Sequence, residues 1–483
     1  MIKIMQQLRG ISAGLVVSAL AGCMVGPDFE RPVFVQAERY TAYPLSSIRL
    51  TEGGDVTEPW WQVFGVPELN QRVEYAWKNN PGVEQAHARL IQAEEAYRVQ
   101  AGQTYYPAID GGLDVKRQQI DPATMGLKGI SRPAPFTVYD LGVTVSYALD
   151  FFGGLHRTLE AMQADVDLRR YEEEASYQLL AANVTLSAIR QASLQVQTEM
   201  LRDMLAVQQV LNDITIERHR LGGVSELEIN TRQSVLAGLK RQLAQSEAQQ
   251  AMTGHLLAIY LGETPDQAMN FPVLRLDQFS APDVLPVALP SELVRRRPDI
   301  RASEAVLQRA TAQVGVATAD LFPRFTLGAS ASMADVRAGD VLGGGVDIWQ
   351  FGLGVVQPLF HGGALQAQKR QAEAFHDEAL ARYREAVLHG LHDVADGLQA
   401  VESGHRTLEM TGLQLQLAEA HYRIIVGRHA SGGVSHAEML EAEYQYLVAA
   451  LAYYQAEGEY YLNIAGLLHA LGGGWIAVTH EEP

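Results

Sequence analysis

Period-two alternation of apolar and polar residues marks four segments of the chain. From Val138 to Leu149, one face carries Tyr139, Leu141, Val143, Val145, Tyr147 and Leu149; the other carries Val138, Asp140, Gly142, Thr144, Ser146 and Ala148. From Arg324 to Met333, Phe325, Leu327, Ala329, Ala331 and Met333 alternate with Arg324, Thr326, Gly328, Ser330 and Ser332. From Ile348 to Val356, Trp349, Phe351, Leu353 and Val355 face away from Gln350, Gly352 and Gly354. Ala108 to Lys116 is weaker, with Ile109, Leu113 and Val115 opposed to Asp110, Gly112, Asp114 and Lys116. Side chains alternate along a strand, so each segment predicts a β-strand with one apolar face. Strands of about ten residues with aromatics near their ends suit a membrane β-barrel, and an antiparallel sheet on a soluble core alternates in the same way.

Two long runs lack proline, from 136 to 264 and from 359 to 482. Proline costs about 3 kcal/mol inside a helix, so these runs are where long helices can form. Helices over about 156–219 and 364–428 would each be roughly 95 Å long at 1.5 Å per residue, a length suited to a coiled-coil tube or stalk. Both runs turn back through the same short string. Leu221-Gly222-Gly223-Val224-Ser225 follows Arg218-His219, and Ser431-Gly432-Gly433-Val434-Ser435 follows Arg428-His429, 210 residues later. Glycine ends a helix in the left-handed conformation at little steric cost. Ser225 and Ser435 predict N-caps for the returning helices, with Glu228 and Glu438 completing capping boxes.

The repetition extends beyond the turns. Asn80-Pro81 answers Arg297-Pro298, Tyr106-Pro107 answers Phe322-Pro323, Phe152-Gly153-Gly154 answers His361-Gly362-Gly363, and Leu261-Gly262 answers Leu471-Gly472. Each half reads helix, two strands, long helix, turn, helix, which makes an internally duplicated α+β chain. The predicted organisation is a leader over 1–22, an N-terminal extended segment over 23–68, repeats over 69–262 and 291–472, a linker over 263–290 and a tail over 473–483. Four strands cannot close a barrel, and lipid does not tolerate open edges. If these strands span a membrane, several chains share one barrel, with Arg117–Phe136 and Ala334–Gly345 as outer loops.

Charge and cysteine usage narrow the setting. A net charge of -18 argues against a nucleic-acid partner. Lys3 and Arg9, the apolar stretch Ile11 to Leu20, and Leu20-Ala21-Gly22-Cys23 form a secretory leader. Cys23 is the sole cysteine, so no internal disulfide and no cysteine-based zinc site can form. The leader resembles the lipobox of bacterial lipoproteins, which implies cleavage before Cys23 and lipid on it. Met24, where an inner-membrane lipoprotein usually has Asp, implies the outer membrane. No G-x-S-x-G elbow, HExxH motif or dinucleotide fingerprint occurs, so neither catalysis nor a cofactor is expected. His389 with Asp393 and His392 with Asp396 have helical spacing that suits a metal, though such pairs are more often solvated. Arg295 to Arg297 precede a proline and read as structural or inter-protomer.

Met24-Val25-Gly26-Pro27-Asp28-Phe29 with Arg31-Pro32, then Trp60-Trp61, Phe64 and Pro67-Glu68-Leu69, resemble the opening of TolC-like outer-membrane efflux proteins of the lipoprotein branch. Leu289-Pro290-Ser291-Glu292-Leu293 with Arg295-Arg296-Arg297-Pro298-Asp299-Ile300-Arg301, and Leu471-Gly472-Gly473-Gly474-Trp475, resemble that branch's other signature strings. The resemblance implies a homotrimer with a shared twelve-stranded barrel in the outer membrane and a periplasmic α-helical barrel about 100 Å long. It implies a passive gated exit duct, partnered by a periplasmic adaptor and an inner-membrane pump of the resistance-nodulation-division class. It assigns the gate to the second turn, at Glu438 and Glu441, with His429 where relatives often place tyrosine. It assigns adaptor contact to Arg218, Gly222, Gly223, Val224 and Ser225, and to Arg428, Gly432, Gly433, Val434 and Ser435. Glu441 is matched by Thr231 in the first repeat, so this acid belongs to one copy only. A structural coiled-coil lipoprotein without conductance is the alternative.

Overall fold

The computed structural model describes residues 24–32, 39–41, 50–52, 59–122, 126, 129, 131–282, 284–287 and 290–472. The leader, Cys23 and the tail from 473 lie outside the described residues. The helices are α1 (Pro67–Asn79), α2 (Pro81–Tyr105), α3 (Gly154–Arg220), α4 (Glu226–Tyr260), α5 (Pro290–Arg296), α6 (Pro298–Ala319), α7 (Ala364–Ala430) and α8 (His436–Ala470). The strands are β1 (Leu50–Glu52), β2 (Ala108–Gln118), β3 (Phe136–Leu149), β4 (Leu285–Val287), β5 (Arg324–Asp335) and β6 (Val346–Val356). The predicted long helices are present at 67 residues each, and the four predicted strands extend a few residues further than the alternation showed. β1 and β4 pair in parallel, joining the N-terminal segment to the predicted linker. Three residues each are too few to carry a readable alternation.

Contacts divide the chain into two units, one made of Met1–Pro32, Leu90–Arg169 and Ser303–Tyr383, the other of Val33–Arg89, Arg170–Ala302 and Arg384–Pro483. The first holds an antiparallel sheet in the order β2-β3-β5-β6. Its register aligns the predicted faces across all four strands. Gly111, Val143, Ala331 and Trp349 form one row, and Asp110, Thr144, Ser330 and Gln350 form a row of the opposite face. The apolar face is bare: Trp349 is 78% exposed, and Phe351, Leu353 and Val355 are exposed with it. A sheet on a soluble core would bury that face, because each Å² of apolar surface left in water forfeits about 25 cal/mol. The soluble-core alternative therefore fails, and lipid is the medium that satisfies this face.

At the foot of the sheet a buried arginine holds the start of the described chain. Arg157, 1% exposed, donates to the carbonyls of Val25 and Gly26, to Asp28 Oδ1 at 2.6 Å and to Glu160 Oε2 at 2.7 Å. Val25 N–H donates to the Phe152 carbonyl at 3.2 Å. A Cβ on Gly26 would lie 2.4 Å from the Gly315 backbone, so the segment lies flush against α6. The string Met24 to Asp28 is thus a seat for the extended segment.

In the second unit, Trp60, Trp61, Phe64 and Leu69 are buried with Leu257, Leu261, Phe279, Tyr461, Ile464 and Leu468. The Trp-Trp signature is therefore core. The repeat also explains the Arg-Pro string. Asn80 Nδ2 donates to the Tyr260 carbonyl at the end of α4, at 2.9 Å. Its mate Arg297 donates from Nη1 to the Ala470 carbonyl at the end of α8, at 3.0 Å. Each repeat closes its last helix with the residue before its helix-opening proline. Arg297 also reaches Asp299 and Asp393 at 2.8 and 2.9 Å, so Asp393 serves this node. Burial pushes the Asp299 carboxyl up, but the Arg297 donors outweigh it and hold it below its usual value. His392 and Asp396 lie 3.5 Å apart as an exposed surface pair.

Candidate functional site at the hairpin tips

Both tips belong to the second unit, and both close with the same bonds. Gly222 N–H donates to the His219 carbonyl and Gly223 N–H to the Arg218 carbonyl, each at 2.8 Å. Gly432 and Gly433 repeat this on His429 and Arg428 at 2.9 and 2.8 Å. These are the paired bonds of a Schellman motif, and they require a left-handed residue at the first glycine. Gly222 and Gly432 supply it at φ +79 and +78. His219 Nδ1 donates to the Val224 carbonyl at 2.9 Å, and His429 Nδ1 to the Val434 carbonyl at 3.1 Å. His429, read as a substitute for a gating tyrosine, is a turn staple with an equivalent in the first tip.

The returning helices differ at their starts. Ser435 Oγ accepts from Glu438 N–H at 3.2 Å, and Ser435 N–H donates to Glu438 Oε2 at 2.8 Å, which completes the predicted capping box. The Ser435 backbone and side-chain donors hold the Glu438 carboxyl below its usual value. The predicted box at Ser225 and Glu228 does not form. There Glu228 N–H donates to the Ser225 carbonyl at 3.1 Å, a tight first turn that leaves the hydroxyl without that role. Ser435→Ala should therefore loosen the first turn of α8 by about 1 kcal/mol, while Ser225→Ala leaves α4 nearly unchanged. Amide exchange at residues 436–439 against 226–229 reads the difference, and equal protection losses would contradict it.

Glu441 is half-exposed and does not stand alone. Arg232 Nη1, on α4 of the first hairpin, donates to Glu441 Oε2 at 3.0 Å. Arg232 follows Thr231, the repeat mate of Glu441, so the acid of one repeat meets the base of the other. Below the pair, Leu201, Met204, Val207 and Leu211 of α3, Leu239 of α4, and Leu440 and Leu447 of α8 are buried together. The first tip adds two residues that the turn motif does not reveal: Leu221 and Leu227, 71% and 75% exposed, where the second tip has Ser431 and Ala437. Comparison of the two copies position by position was the signal available for them.

A family model described as outer membrane efflux protein matches residues 73–263 and 289–473. The chain is 30% identical over 431 residues to the pyoverdine export outer membrane protein OpmQ of Pseudomonas putida, covering 86% of this chain and 88% of that protein. It is 27% identical over 475 residues to the toluene efflux pump outer membrane protein TtgC, also of Pseudomonas putida, covering 98% and 96%. Among solved structures, the outer-membrane channel OprN superposes with a TM-score of 0.81 at 28% identity, over 94% of this chain and all of that one. The open state of the Neisseria gonorrhoeae MtrE outer membrane channel gives 0.79 at 23% identity over 94% and 98%, a likeness of fold.

Proposed function

We infer from membership of the outer membrane efflux protein family, to which this chain belongs, that it is a trimeric outer-membrane exit duct, gated at its second hairpin tip. Its place as the outer-membrane channel component of an efflux pump is that of the family. The observation that carries the finer reading is the sheet with a bare apolar face and, among the described residues, two open edges at β2 and β6. In lipid such edges must pair, and three chains of four strands give a closed barrel. A stripe on α7 supports the same assembly. Met410, Leu413, Leu417 and Ile424 are exposed at spacings of three, four and seven residues, the pattern a neighbouring helix covers.

In this reading Cys23 carries the lipid anchor, and residues 69–262 and 291–472 are the two repeats that each supply one strand pair and one hairpin. The gate is the ring of second tips, with Glu438 capping and Glu441 facing the mouth. The adaptor docks on Arg218 and Gly222 to Ser225, on Arg428 and Gly432 to Ser435, and on the exposed Leu221 and Leu227. The pump beyond it is of the resistance-nodulation-division class. Relatives named for pyoverdine and for toluene match this chain at 30% and 27% identity, which supports a duct whose cargo is chosen by the pump. Recording from the purified, lipidated trimer in a planar bilayer tests the duct. Discrete ion-conducting steps are the expected result. A bilayer that stays silent with trimer inserted would favour the non-conducting stalk.

A further inference from the structure

The duplication supplies a control for each residue of the second tip. His429 is matched by His219, and each ring donates from Nδ1 to the carbonyl five residues on, Val434 at 3.1 Å and Val224 at 2.9 Å. A carbonyl only accepts, so the proton of the neutral ring sits on Nδ1 and the lone pair is left on Nε2. A carbonyl on the second nitrogen is also what fixes the tautomer and orientation of a metal-ligating histidine. Both tips therefore present half of a site.

Only the second tip has the other half. Position 436 opens α8 with histidine, where its mate opens α4 with Glu226. The rings of His429 and His436 lie with centroids 5.5 Å apart, tilted by 42°. A zinc–nitrogen bond is about 2.0–2.1 Å, which puts a ring centroid about 3.2 Å from the ion and two rings at a tetrahedral angle about 5.2 Å apart. The pair is thus near the spacing of two rings on one ion. His436 is exposed and His429 half-buried, so an ion can enter from water. A histidine at the first helical position also forgoes the roughly 0.3–1 kcal/mol that an acid such as Glu226 draws from the helix dipole. Helix stability alone does not favour that choice.

We propose that the second tip holds a divalent transition-metal site: one zinc, nickel or copper ion on Nε2 of His429 and a ring nitrogen of His436, with water completing the shell. Imidazole suits these ions. Glu438, the nearest acid in sequence, is held by Ser435 in the capping box. No group of three or more His, Cys, Asp or Glu able to hold a metal forms among the described residues, so the protein gives two ligands and the ion stays exchangeable. Bound there, the ion ties the last turn of α7 to the first turn of α8 across the glycines, in one tip of the two. The site stands apart from the trimeric reading, because both ligands belong to one hairpin.

Zinc alone is the probe, on the full purified chain. Diethyl pyrocarbonate labels imidazole nitrogens, and peptide masses read each histidine separately. Zinc should protect His429 and His436, a chelator should reverse the protection, and His219 should label as it does without zinc. His436→Gln, at an exposed position outside the turn bonds, should weaken zinc binding at His429 at least about ten-fold, since even the outer partners of a metal site are worth about ten- to a hundred-fold in affinity. Glu226→His gives the first tip the missing half and should bring His219 under zinc protection. Zinc that leaves His429 and His436 as reactive as His219, or that protects His429 equally in His436→Gln, overturns the site. A Glu226→His chain whose His219 stays reactive would overturn the geometry on which it rests.

Discussion

Replacing Arg232 with alanine will shift the bilayer-inserted channel toward its open state, seen as longer and more frequent openings. Arg232 ties α4 of the first hairpin to Glu441 near the start of α8, at 3.0 Å and with both side chains part-exposed. A pair in that setting contributes roughly 1 kcal/mol. In the proposed trimer, three tips that open together would forfeit about 3 kcal/mol, on the order of a hundred-fold in the open-to-closed ratio. The freed carboxylates would also repel one another around the mouth, adding to the same shift. Glu441→Ala should act in the same direction without that added repulsion, and the exchange Arg232→Glu with Glu441→Arg should restore the resting behaviour. Unchanged open probability in both single variants would sink the latch.

Arg297→Met should be the most damaging single change in the signature strings. It removes donors from the Ala470 carbonyl, Asp299 and Asp393 at once. Losing these charge-assisted hydrogen bonds costs about 2 kcal/mol, since Asp299 and Asp393 are half-exposed and water takes up part of the loss. Gly472, at φ +67, fits only because its missing Cβ would lie 2.9 Å from Arg297 Cγ, so the arginine also shapes the end of α8. His469 is next to this node, its imidazole held below its usual value by burial and then by the Arg297 charge. Arg295, two residues earlier and exposed, should change stability by less than about 0.5 kcal/mol when replaced with alanine. Thermal unfolding of the two variants in detergent separates them, and equal midpoints would overturn the assignment.

The fold was legible where physics leaves a period. Alternation marked the four long strands, and the faces it assigned are the faces that the register aligns. The proline-free runs, cut by their Gly-Gly strings, marked the long helices to within a few residues. Three-residue strands leave no period, so the pairing of Leu50–Glu52 with Leu285–Val287 could only be seen in three dimensions. At the tips, Ser225 and Ser435 look alike in sequence, yet only Ser435 caps with its side chain. The choice is made by the geometry of the first turn, not by residue type. Arg232 was invisible for a different reason: a salt bridge spanning 209 residues has no local signature. The same holds for Arg297, since three consecutive arginines give no hint of which one reaches the Ala470 carbonyl, 173 residues away.

The seat around Arg157 sets an order of events. Met24 to Asp28 leave the ribosome early, yet their seat needs Phe152 to Arg157 and, on α6, Gly315. Contacts of such long sequence separation form late, because loop closure must come first. Met24 to Asp28 therefore stay unseated until much of the second repeat has docked. Their immobilisation is a stamp of completed folding, and protease resistance just after residue 24 would date that moment in a nascent protomer.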